Sequence, residues 1–146
     1  MAASFMHEAT EMDVELKRAD FLIQSSLKYA RTADVVRNVI KRIVSAYEAG
    51  INLLCTKLDG PPSSSFESKI KFLENRCPCV FETFFKEYLK LSELQNLISV
   101  ENEYKATVRA IFKTKKGPVS ISIDDVNNMY EVANKFRELV LLHMAR

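Results

Sequence analysis

Three cysteines, two histidines and a knot of basic residues are the groups in this chain equipped for chemistry. Cys77 and Cys79 flank Pro78, and a thiol near the start of a helix gains thiolate character from the helix dipole. Structural zinc needs four ligands, and the remaining candidates, Cys55, His7 and His143, stand at no recognisable ligand spacing. The reading is three free thiols, with neither a metal nor a cofactor expected. His7 sits in the opening turns and His143 prolongs an apolar stripe three residues from the end, so position marks neither as an acid–base catalyst. The glycine-rich phosphate loops, the HExxH helix and the GxSxG elbow are all absent.

The basic residues are more suggestive. Lys28, Arg31, Arg37, Lys41 and Arg42 set five positive charges against Asp34 around the first interhelical turn, where they could contact phosphates. Arg37 and Lys41, four apart, share a helical face, but the interleaved aromatics of a single-strand binding platform are missing. Lys113, Lys115 and Lys116 add charge at a second place. The net charge of +2 is too small to attract nucleic acid in bulk, so RNA or a nucleotide would have to be held by a local patch.

These groups need a scaffold, and 146 residues with 47% hydrophobic content suit one domain over residues 1–146. Three glycines and four prolines leave little room for the turns of a sandwich or barrel. No basic start with an apolar run opens the chain, and no 18 uncharged apolar residues follow one another. A cytoplasmic protein without a membrane partner is expected, and the odd cysteine count argues against a disulfide scaffold.

Apolar spacings of three and four predict a first helix over 7–29 through Leu16, Ala19, Ile23 and Leu27. A second, over 33–58, carries Val36, Ile40, Ile43, Tyr47, Gly50, Leu54 and Leu58 on one stripe, and Gly50 there predicts a close helix crossing. Gly60 ends it before Pro61 and Pro62. A short helix carries Phe66, Ile70 and Leu73, and Pro78 fits the first turn of a fourth, over 78–98. That fourth helix is apolar over more than half its circumference, which suits a central place or a homodimer interface. The alternation Val119, Ser120, Ile121, Ser122, Ile123 after Gly117 predicts a β-hairpin over about 107–123, lying on the bundle by Val119, Ile121 and Ile123. Asp124 or Asp125 caps the last helix. The fold class is all-α, an antiparallel bundle of four to five helices with that hairpin before the C-terminal helix.

The run Ser45-Ala46-Tyr47-Glu48-Ala49-Gly50-Ile51-Asn52-Leu53-Leu54, followed by the short helix of Glu67 to Leu73 and by Asn102 to Thr107 leading into the hairpin, resembles the HEPN domains, named for higher eukaryotes and prokaryotes nucleotide-binding. The resemblance is to small prokaryotic members and covers most of the chain in topology. It implies a helical bundle, often dimeric, that either accompanies a nucleotidyltransferase or cleaves RNA without metal. The ribonuclease members carry an arginine, four to six residues and then a histidine, and Arg137 and His143 have that spacing. Glu138 follows the arginine where a polar uncharged residue is often found. A non-enzymatic binding module is the reading preferred from sequence, with a metal-independent ribonuclease using Arg137 and His143 as the alternative.

Overall fold

The computed structural model describes residues 2–26, 33–60, 65–96, 99–104, 108–114 and 116–145. Five α-helices and a small sheet follow one another: α1 (Ala2–Phe21), α2 (Ala33–Lys57), α3 (Phe66–Glu74), α4 (Val80–Gln95), β1 (Ser99–Tyr104), β2 (Val108–Thr114), β3 (Gly117–Ser122) and α5 (Ile123–Met144). The protein is a mostly helical bundle. Among the described residues no helix is long and apolar enough to cross a membrane.

Helix α2 is the axis of the bundle, touching α1, α3, α4, α5 and the sheet. Its expected stripe is buried through Val36, Ile40, Ile43, Tyr47 and Leu54, but so are Val39, Val44, Ala46, Ala49, Ile51 and Leu53 on its other flanks. The central place therefore belongs to α2 and not to α4. In α4 the apolar residues divide: Phe81, Phe85, Tyr88, Leu91 and Leu94 are buried inside the chain, while Val80 and Leu89 stay exposed. Those two are nine residues apart, which on a regular helix places them on opposite sides.

Contacts give the helix directions. Glu15 meets Arg42, and Met12 lies against Gly50, so α1 and α2 run antiparallel. Phe81 meets His143 and Phe85 meets Phe136, which sets α4 antiparallel to α5. Gly50 under Phe136 and Lys57 at the His143 carbonyl make α2 and α5 run parallel. Helix α4 makes that possible, because it runs back to the end where α5 begins, and the sheet links the two.

The expected hairpin is present as β2 and β3, antiparallel and closed at Thr114 opposite Gly117, which has φ of +114°. A strand not anticipated, β1, pairs antiparallel with β2 and gives the order β1-β2-β3. The sheet turns Phe112, Ile121 and Val119 toward the core. Ile123, expected on the hairpin face, is instead the first residue of α5. The cap of that helix is Ser122, and neither Asp124 nor Asp125 holds the place. The Ser122 hydroxyl accepts from the Asp125 N–H at 3.1 Å while the Asp125 carboxylate accepts from the Ser122 N–H at 2.8 Å, a reciprocal capping box.

Helix boundaries also differ in detail. Beyond Phe21, α1 widens into a π-helical turn, Leu22–Ser26, where the Ser25 hydroxyl donates to the Phe21 carbonyl at 2.6 Å. Tyr29 lies outside the described residues, as do Leu97 and Ile98 at the expected end of the fourth helix. Pro78 stands one residue before the α4 cap, Cys79, and its carbonyl accepts from the Phe81 N–H at 3.0 Å. At the end of α2 the Gly60 N–H returns to the Cys55 carbonyl at 2.8 Å and the Asp59 N–H to Thr56 at 3.4 Å. That is a Schellman ending whose left-handed residue is Asp59, with φ of +56°, rather than glycine.

Candidate anion-binding groove

Positions 15 and 18 of α1 lie three apart and share one face of the helix; Arg42 approaches that face from the antiparallel α2. The Glu15 carboxylate, only 3% exposed, is held between two arginines. Arg18 Nη1 donates to Glu15 Oε1 at 2.9 Å and Arg42 Nη1 donates to Oε2 at 3.4 Å. A buried carboxylate is costly unless its oxygens are satisfied, and here two helices supply the partners. Both guanidinium side chains keep a wet side, being 56% and 44% exposed.

On that wet side a groove of about 470 Å³ opens, lined by Val14, Lys17, Arg18, Phe21, Leu22 and Arg42. Val14, Phe21 and Leu22 give it apolar surface, and Lys17, Arg18 and Arg42 give it positive charge. Phe21 is 66% exposed, the most exposed of the large hydrophobic residues described. Its place follows from helix spacing: two residues from both Ala19 and Ile23, it falls on the side of α1 opposite the buried stripe. Among the described basic residues picked out in the sequence, only Arg42 lines this groove. Lys17 and Arg18 were missed because they join Arg42 through the packing of α1 on α2.

Of the rest of the expected phosphate cluster, the described members Arg37 and Lys41 do not line this groove. Arg37 pairs with Asp34 at 3.6 Å and lies 5.8 Å from the centre of the Phe112 ring, turned to the sheet. Its Nε and Nη2 are buried, so they cannot meet a phosphate from solvent. Lys41 is exposed on α2 and does not line the groove. Lys28 and Arg31 lie outside the described residues.

Arg137 and His143 are not brought together. The Arg137 Nε donates to Asp13 Oδ1 of α1, and this hydrogen bond holds the guanidinium above its ordinary pKa. His143 sets its ring edge-on to Phe81 of α4 at 5.7 Å, and its carbonyl accepts from Lys57 Nζ. Six residues along a regular helix separate two side chains by about 120°, which is how they reach different neighbours.

All three cysteines are free thiols. Cys77 and Cys79 do not act as a pair: Cys79 is exposed at the start of α4, while the Cys77 thiol is pushed up to about 11 by burial, with Cys55 adding to the shift. Burial likewise raises Cys55. No group of three or more metal-ligating side chains occurs among the described residues.

A larger depression, about 600 Å³, lies between α3 and α4 and includes Glu67, Tyr88, Ser92 and Glu93. The Tyr88 hydroxyl donates to Glu48 at 2.8 Å, and burial followed by that bond raises the phenol. This depression is acidic and would repel the phosphates that the α1–α2 groove attracts. Comparison with family models, curated proteins and solved structures finds no match to this chain.

Proposed function

We propose that this chain is a non-enzymatic, HEPN-like binding module of the cytoplasm whose ligand is RNA or a nucleotide, held in the α1–α2 groove. The observation that carries the reading is the conjunction of an exposed aromatic, Phe21, with Lys17, Arg18 and Arg42 around one groove. Its volume lies in the range of small-ligand sites, and an aromatic face beside cations is the common arrangement for a base and its phosphate. The cleavage alternative needs Arg137 and His143 at one phosphate, and Asp13 and Phe81 hold them apart within the chain. A homodimer through residues 78–98 would have Val80 or Leu89 to use, since Phe81, Phe84, Phe85, Tyr88, Leu91 and Leu94 of the expected face serve the core. A nucleotidyltransferase partner rests on the resemblance alone.

The test is binding of a fluorescent mixed-sequence RNA at low and moderate salt, with metal chelated and the RNA examined afterwards. Expected is salt-dependent binding with the RNA left intact. Phe21→Ala and Lys17→Ala, both at exposed positions, should each weaken binding, the first by about fivefold or more from lost stacking. Cleavage that disappears in an Arg137→Ala, His143→Ala double variant would replace this reading by the ribonuclease one.

A further inference from the structure

Resting on that reading, we propose that Arg18 and Arg42, bridged by Glu15, are a preassembled clamp for a terminal phosphate, and that the groove takes a nucleoside carrying a phosphomonoester. The ring would lie on Phe21. The shared chemistry is the same whether the nucleotide is free or forms the phosphorylated end of a strand.

Glu15 governs how the two arginines are presented. Each guanidinium has five N–H donors in a rigid fork, and each gives Glu15 a single nitrogen, Nη1. The remaining donors make no hydrogen bond to another described residue, and both arginines are part of the groove lining. Two guanidinium groups from different helices repel one another when placed side by side. The buried carboxylate offsets that repulsion and fixes the spacing before any ligand arrives. Forks held in advance lose less freedom when they bind, which is the advantage of preorganisation.

Charge selects the kind of phosphate. Among the described residues, Lys17, Arg18 and Arg42 against Glu15 leave two positive charges at the groove. Asp13 is spent on Arg137, and Asp20 is not among the groove-lining residues. A phosphomonoester near neutral pH carries between −1.5 and −2, roughly the complement of that field, whereas a diester within a strand carries −1. Planar forks also suit the oxygens of a terminal phosphate, which has three free to accept. The apolar lining of Val14, Leu22 and Phe21 would be wasted on inorganic phosphate alone, so the ligand carries a flat apolar group as well.

Glu15 is then a positioning residue, and its replacement separates positioning from simple charge. Glu15→Gln keeps the volume and adds one net positive charge. If the groove acts only as a positive field, anion binding tightens. If Glu15 holds the clamp, binding weakens in spite of the added charge. Arg42→Lys gives a second, independent reading at a side chain 44% exposed, because it preserves the charge and removes the fork.

The experiment measures the affinities of adenosine 5′-monophosphate, adenosine, and a short RNA with either a 5′-phosphate or a 5′-hydroxyl, for the wild-type chain, Glu15→Gln and Arg42→Lys. The expected result is a preference of about tenfold or more for a phosphorylated ligand over its unphosphorylated partner, reduced in both variants. Preference shown by the mononucleotide points to a free nucleotide, and preference shown only by the RNA points to a strand end; either supports the clamp. Equal binding of the 5′-phosphate and 5′-hydroxyl RNA with no binding of the mononucleotide, or tighter binding by Glu15→Gln, overturns the clamp while the RNA-binding reading stands. Absence of binding by the wild-type chain to every ligand overturns both.

Discussion

Gly50 of α2 lies under the ring of Phe136 of α5 so closely that a Cβ at position 50 would stand 2.5 Å from Phe136 Cε2 and 3.3 Å from Met12 Sδ. Phe136 has no room to give way, being 1% exposed and in ring contact with Tyr47, Phe81, Phe84 and Phe85. A methyl group here must displace a packed aromatic, which outweighs the gain in helix propensity of about 1 kcal/mol. Gly50→Ala is therefore expected to destabilise the fold by about 1–3 kcal/mol in urea unfolding. A stability equal to or above that of the wild type would show that the α2–α5 crossing is looser than described.

Asp13 and Arg137 tie α1 to α5, but both side chains are partly wet, at 40% and 33% exposure. Solvent screening limits such a pair, so the coupling energy from a double-mutant cycle with Asp13→Ala and Arg137→Ala should be under about 1 kcal/mol and should shrink in high salt. RNA binding should be left nearly unchanged by the pair, because neither residue lines the α1–α2 groove.

The end of α2 contains a correctable strain. Asp59 adopts a left-handed backbone conformation, φ +56°, in a Schellman ending where glycine is the usual residue. Asp59→Gly relieves the steric cost and is expected to raise the thermal midpoint, a gain of about 0.5–1 kcal/mol.

The thiols should separate by reactivity and by pH. Exposed Cys79 is expected to react with iodoacetamide before Cys77, with the buried Cys55 slowest, as read by mass spectrometry of the native chain. Burial raises Cys77 from about 9 to about 11, so between those values the native state holds a proton that the unfolded state has lost. Stability from this group is thus complete below pH about 9 and declines as pH rises toward 11. Cys77→Ala should flatten that part of the decline, leaving what comes from Cys55, Tyr47 and Tyr88, all also raised by burial.

The helices were legible because their apolar residues recur at three and four, and the crossing at Gly50 because a glycine on a buried stripe has few other uses. Strand β1 was not legible: Ser-Val-Glu-Asn-Glu-Tyr is polar, and only its pairing with β2 makes it a strand. The breadth of the apolar face in α4 comes partly from Val80 and Leu89, which stand exposed beside the buried stripe. The groove was half legible. Phe21, off the stripe and beside Lys17 and Arg18, was a signal available in one helix, but the partnership of Arg18 with Arg42 depends on how α1 lies on α2.

The central claim is that the α1–α2 groove is where this protein meets its ligand, and backbone amide NMR during titration with adenosine 5′-monophosphate tests it most directly. The predicted result is a saturable shift of the Lys17, Arg18, Phe21 and Arg42 amides, with the region of Arg137 and His143 unmoved. Shifts centred on residues 137–143, or none anywhere with either millimolar nucleotide or the short 5′-phosphorylated RNA, would contradict it.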